Sequence, residues 1–251
     1  AMAYMPAVLG SILFSFRNNM FSGAILTALF LSLQIRANHL QITYYLLIMI
    51  ILFGFFEFFH SLKEKKINNF FKTTLILFFS ASLAICCNIE NLWSTYDYGK
   101  YSTRSKSELI EYSNLQNKTS GLDKDYATSW SYGKLETFNL MIPNLFGGSS
   151  NSKLSNDSQV YQALKNRKIP NAKNIIKRFP TYWGEQPFTS GPVYIGSVLC
   201  FLFLFSLFFL EGRLKWWLIS CSIISVLLAW GKNMMWLTDF FLDYVPGYNK
   251  F

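Results

Sequence analysis

Ile42-Thr43-Tyr44-Tyr45-Leu46-Leu47-Ile48-Met49-Ile50-Ile51-Leu52-Phe53-Gly54-Phe55-Phe56-Glu57-Phe58-Phe59 is a run of eighteen residues with one charge, Glu57. As an α-helix rising about 1.5 Å per residue it reaches about 27 Å, close to the roughly 30 Å hydrocarbon core of a bilayer. Five more apolar runs cover residues 1–16, 20–35, 70–89, 191–210 and 216–231. The apolar residues are blocked into runs rather than spread at the periodicity of a soluble core. The expected fold is therefore all-α and integral to a membrane, with about six transmembrane helices and a large, partly helical extracytoplasmic loop.

Composition agrees. The chain has 251 residues, 51% hydrophobic and 18% aromatic, with 25 Phe. Only 15% is charged, against roughly 25% in soluble domains. The net charge of +9 falls in short loops between apolar runs and in one long loop, so nucleic acid is not an expected partner. Cys86, Cys87, Cys200 and Cys221 lie in apolar runs without disulfide or zinc spacing, and read as small buried side chains. The chain opens on Ala1, already apolar, with no basic n-region. It reads as an internal piece of a longer protein.

The expected division is residues 1–89 for helices one to four, 90–190 for an extracytoplasmic loop domain, 191–231 for helices five and six, and 232–251 for an extracytoplasmic amphipathic tail. Three short connections carry the basic residues: Arg17, then Lys63, Lys65, Lys66 and Lys72, then Arg213 and Lys215. The positive-inside rule puts these three on the cytoplasmic side. The long loop and the 36–43 connection then share the outer side. Eight of the fourteen Tyr and three of the seven Trp fall within residues 90–190, which predicts a folded segment, because disordered segments lack aromatics. Helices are expected over 125–141, ended by Pro143, over 159–164 after a cap at Asn156-Asp157-Ser158, and over 170–179. Gly147-Gly148-Ser149-Ser150 reads as a flexible turn.

The connection between the second and third runs is the candidate site. Arg36, Asn38, His39, Gln41 and Thr43 crowd five polar side chains into eight positions. Arg36 and His39 suit a phosphate or pyrophosphate, and Asn38 and Gln41 suit sugar hydroxyls. Tyr44 would sit at headgroup level. A capped hairpin with an interfacial aromatic belt explains the same residues. Trp93 and Tyr96, just past the fourth run, offer flat faces to a sugar or anchor the interface. Glu57 and His60 share a helical face near a cytoplasmic end, where Glu57 can snorkel outward. Asp123-Lys124-Asp125 has the Asp-x-Asp form that can hold a divalent cation, but Lys124 between the acids reads better as a solvated turn. Asp239 and Asp243, one helical turn apart, read as a solvated face. No cofactor is expected, and no residue here is assigned a catalytic role.

Three stretches carry a resemblance. They are Gly23-Ala24-Ile25-Leu26-Thr27-Ala28-Leu29-Phe30 with the run from Arg36 to Tyr45, Thr119-Ser120-Gly121-Leu122-Asp123-Lys124-Asp125-Tyr126, and Trp183-Gly184-Glu185-Gln186-Pro187-Phe188-Thr189-Ser190-Gly191-Pro192-Val193-Tyr194. Together they resemble the bacterial YfhO-type multi-pass membrane proteins, which are similar to glycosyltransferases of the GT-C class. The resemblance implies transfer of a sugar from a polyprenyl-phosphate donor to a cell-envelope acceptor, outside the bacterial cytoplasmic membrane. It also implies a catalytic acid in an earlier outer loop, upstream of residue 1. The expected partners are the lipid-linked donor, the envelope acceptor and membrane lipids. A transporter or flippase for lipid-linked envelope precursors, and a non-catalytic scaffold of envelope assembly, are the alternatives. Polar residues at the ends of the runs rather than their middles favour surface chemistry over transport.

Overall fold

The computed structural model describes residues 1–99, 101, 124–149, 153–189, 191 and 193–250. Among the described residues no strand forms, and eleven α-helices are joined by short 3-10 turns. Two helices are long and apolar enough to cross a membrane: α3 (Leu40–Lys63) and α4 (Ile67–Cys86). Helices α1 (Met5–Arg17), α2 (Met20–Arg36) and α9 (Ser197–Phe209) are apolar but shorter. Helix α10 (Arg213–Ala229) meets α11 (Met235–Tyr244) across a 3-10 turn (Gly231–Met234), where the chain bends by 113°. The structure thus supports membrane-protein character on two helices, with the bent pair as a possible third, and does not establish the expected six spans.

The chain divides into two compact units. The first holds α1 to α4, α5 (Ile89–Gly99) and Glu211–Ser222 at the start of α10. Its core joins Val8 and Ile12 of α1, Leu46 and Phe53 of α3, and Trp217 and Cys221 of α10. Trp217 Nε1 donates to the Met49 carbonyl at 3.0 Å, so even the indole N–H has a partner. Helices α1 and α2 approach closely because Gly23 has no side chain. A Cβ there would lie 2.6 Å from the Ser15 backbone nitrogen. Gly23 and Ala24 are both buried and give α2 a small-residue face at this seam. Thr27 joins the seam, its Oγ1 meeting Ser11 Oγ at 2.9 Å and the Gly23 carbonyl at 2.8 Å. Asn88 ties the end of α4 to α2, donating to Ser32 O at 3.1 Å and Ser32 Oγ at 2.9 Å.

The second unit contains α6 (Lys124–Thr128), α7 (Gln159–Asn166), α8 (Ala172–Ile176), α9, the rest of α10 and α11. Its centre is Glu136, 1% exposed, on a 3-10 turn (Leu135–Leu140). Glu136 Oε2 accepts from Gly133 N–H at 2.7 Å, and Oε1 accepts from the Tyr182 hydroxyl and from Glu185 N–H at 3.2 Å. Three donors satisfy a carboxylate that would otherwise be costly to bury.

Several expected elements differ. Residues 89–99 form α5, a helix that the sequence reading did not name. The helix expected over 125–141 is broken between α6 and the 3-10 turn. There Ser131 Oγ bonds to Thr128 O, Tyr132 N–H reaches Ala229 O at 2.8 Å, and Gly133 N–H reaches Glu136, so backbone donors leave the helical ladder. The expected cap at Ser158 forms, its Oγ accepting from Tyr161 N–H at 3.2 Å. Helix α8 covers only the middle of the expected 170–179. Helix α9 starts at Ser197 instead of 191 because Gly191 and Gly196 take φ of +73° and +124°, outside the helical region. The turn expected to flex at Gly147 is strapped down: Thr181 N–H reaches Ser149 O at 3.1 Å, and a Cβ on Gly147 would lie 1.9 Å from Thr181 O. Cys86 and Cys87 are exposed at the end of α4 rather than buried.

Candidate functional site

The polar connection forms a tight hairpin. Helix α2 ends at Arg36, Asn38 turns the chain with φ of +48°, and His39 precedes α3 without a side-chain cap bond. Asn tolerates this left-handed conformation better than most residues. Arg36, Asn38 and His39 are exposed, whereas Gln41 and Tyr44 are half-buried. Gln41 Nε2 lies 3.3 Å from the Tyr45 hydroxyl. Helix α5 reaches the same place, with Thr95 Oγ1 3.4 Å from Asn38 Oδ1. Trp93 and Tyr96 stand on α5 with ring centroids 6.4 Å apart, 68% and 65% exposed. The structure therefore brings the element bearing Trp93 and Tyr96 to the hairpin bearing the other five candidates.

Below the hairpin lies a cleft of about 710 Å³ between α2, α3 and α4, with α1 behind. Its walls include Leu31, Ile35, Leu47, Ile50, Ile51, Leu77, Phe78 and Ala81, and it ends at Leu40, Thr43 and Tyr44. The loose fit of α3 against its neighbours leaves this apolar space, and Ile35 and Leu40, the chain neighbours of Arg36 and His39, are part of its wall. Gln34, which the sequence reading absorbed into an apolar run, is 0% exposed at this end. Its Nε2 donates to Thr43 Oγ1 at 3.3 Å, while Oε1 has no hydrogen-bond partner. A buried acceptor left so costs about 1–3 kcal/mol. The one signal for it was a lone amide two residues before the polar connection.

The first unit has a second polar site at the other end of α3. Glu57 does not snorkel: it is 4% exposed, with Oε2 2.7 Å from Arg213 Nε. The two atoms form an ion pair without the alignment of a hydrogen bond. His60, Glu64, Lys66 and Asn69 line a pocket of about 170 Å³ beside them, with Phe16. The C-terminal ends of α1 and α3 and the starts of α4 and α10 thus meet.

In the second unit Lys124 Nζ lies 2.8 Å from Asp239 Oδ1 and 3.3 Å from Asp243 Oδ2. Its pKa is raised, first by the Asp239 hydrogen bond. Asp239 and Asp243 are therefore ion-paired rather than merely solvated. Asp123, of the expected Asp-x-Asp pair, lies outside the described residues. Among the described residues no three His, Cys, Asp or Glu side chains gather as metal ligands. The chain matches no protein-family model, no curated protein and no solved structure.

Proposed function

We propose that this chain binds a polyprenyl-phosphate-linked sugar as part of a bacterial GT-C-type membrane glycosyltransferase, and that transfer to an envelope acceptor takes place on the outer side of the membrane. One observation carries the reading: an apolar cleft along α2, α3 and α4 ends at a hairpin that pairs Arg36 and His39 with amides and aromatic rings. A long apolar chain suits the cleft, and a phosphate suits the cationic end. Asn38, Gln41, Tyr44, Trp93 and Tyr96 are in reach of a sugar beyond that phosphate. The resemblance to YfhO-type proteins supports the same assignment. Arg36 and His39 would stabilise the departing lipid phosphate, where negative charge develops as the sugar leaves. The buried Gln34 Oε1 offers an acceptor to a donor group arriving at the cleft's end.

A flippase for the same lipid is the second reading, favoured by the buried Glu57–Arg213 pair where the end of α3 meets the start of α10. One experiment serves both. Arg36→Ala with His39→Ala, in the full-length protein at normal expression, is expected to lower sugar transfer to envelope polymer at least about a hundredfold. Glu57→Gln is expected to leave it within about threefold. Unchanged transfer in the double variant sinks the site assignment, and loss of transfer in Glu57→Gln alone turns the case to the flippase.

A further inference from the structure

The segment Tyr182-Trp183-Gly184-Glu185-Gln186 alternates in direction. Three positions are fixed inward. The Tyr182 hydroxyl donates to Glu136, a Cβ on Gly184 would lie 1.6 Å from Glu136 Oε1, and Gln186 Nε2 donates to Trp130 O at 2.8 Å. Trp183 and Glu185 are left facing outward. The Trp183 ring rests on Phe146 at a centroid distance of 4.5 Å, its backbone N–H donates to Phe146 O at 3.2 Å, and the residue is 67% exposed. Two residues along the chain, Glu185 Oε2 lies 3.3 Å from Lys232 Nζ and 3.5 Å from Asn233 Nδ2. Asn233 Nδ2 is oriented by a second bond, to Tyr132 O at 2.8 Å.

We propose that Trp183, Glu185, Lys232 and Asn233 form a saccharide-binding subsite for a β-linked, gluco-configured chain. Equatorial hydroxyls leave such a sugar a flat face of C–H groups, whose partial positive charge suits the negative face of an indole. Its rim of hydroxyls needs an acceptor and donors at the platform's edge, which Glu185, Lys232 and Asn233 supply. The one carboxylate offsets the one ammonium, so the patch has no net charge to select an anionic headgroup. Burial of Glu136 and the absence of a side chain at Gly184 hold the platform in place before any ligand arrives, which limits the entropy lost on binding. The subsite belongs to the second unit and stands independently of the lipid-donor reading.

The test is calorimetric titration of the full chain in nanodiscs with tetra-N-acetylchitotetraose and with cellotetraose. Saturable binding of at least one is expected, weakened at least about tenfold by Trp183→Ala and kept within about threefold by Trp183→Phe. Glu185→Ala retains the backbone N–H that Glu136 uses and is expected to weaken binding by about threefold or more, which keeps the proposal testable should Trp183→Ala misfold. No binding of either saccharide at about 10 mM, or equal binding by the wild type and the Glu185→Ala and Trp183→Ala variants, overturns the proposal. So does quenching by brominated lipid of a fluorescence component that Trp183→Phe removes, because Trp183 would then be a membrane anchor.

Discussion

Glu136 shows what a single residue does in the second unit and why the sequence hid it. Its neighbours Leu135 and Thr137 scan as part of an amphipathic helix, and two of its three donors come from residues 46 and 49 positions later. No local pattern encodes such a partnership. Glu136→Ala would leave the Gly133 and Glu185 amides and the Tyr182 hydroxyl without their acceptor. It is expected to lower the denaturant-unfolding free energy by at least about 3 kcal/mol. A loss under about 1 kcal/mol would mean that Glu136 is not the organiser of this unit. The same contact has a pH signature. Burial first, and the bond to Glu136 second, push the Tyr182 phenol up to about 12 from its usual 10.0. The folded state favours the protonated phenol, so this stabilisation is complete below about pH 10 and is lost as pH rises through about 12. Unfolding midpoints taken across that window should fall more steeply for the wild type than for Tyr182→Phe. At the other unit's hairpin the candidates Arg36, Asn38, His39 and Gln41 were legible because polar residues between two apolar runs stand out. Gln34 and the Glu57–Arg213 pair were not, since one amide or acid inside an apolar run carries no sign of what folds against it.

At the scale of elements, the closest seam is the one between α1 and α2. A valine at position 23 would place its Cβ within 2.6 Å of the Ser15 backbone, which cannot move without shifting α1. Gly23→Val is therefore expected to lower the melting temperature in detergent by several degrees, corresponding to about 1–3 kcal/mol of overpacking. An unchanged melting temperature would refute the seam. The Gly23–Ala24 contact was readable in advance because small residues four or fewer apart on an apolar helix invite a close neighbour. The ends of α2, α3 and α4 were also close to expectation, since Asn38 and the lysine-rich turn interrupt long apolar runs. Helix α5 was missed because its polar and aromatic residues resemble a chain leaving the membrane. The shortening of α9 came from positive φ at two glycines that the hydrophobic count treats as neutral.

At the scale of the molecule, the positive-inside rule predicts the orientation from the basic connections. In a cysteine-free background, Lys65→Cys lies in the turn after α3 and Lys153→Cys in the polar segment, both exposed. An impermeant maleimide applied to intact cells is expected to label Lys153→Cys and not Lys65→Cys. The reverse pattern would invert the placement of the cleft's polar end. The proposed donor site requires the cleft between α2, α3 and α4 to accommodate the lipid of a phosphate-linked sugar. A polyprenyl phosphate carrying a diazirine in its tail tests it most directly, by photo-crosslinking in native membranes followed by mapping of the adducts. Adducts are expected on cleft residues such as Leu47, Ile50, Leu77 and Phe78, reduced at least about tenfold by Arg36→Ala with His39→Ala. Adducts spread evenly over the outward-facing apolar residues of α9 and α4, indifferent to that double substitution, would contradict it.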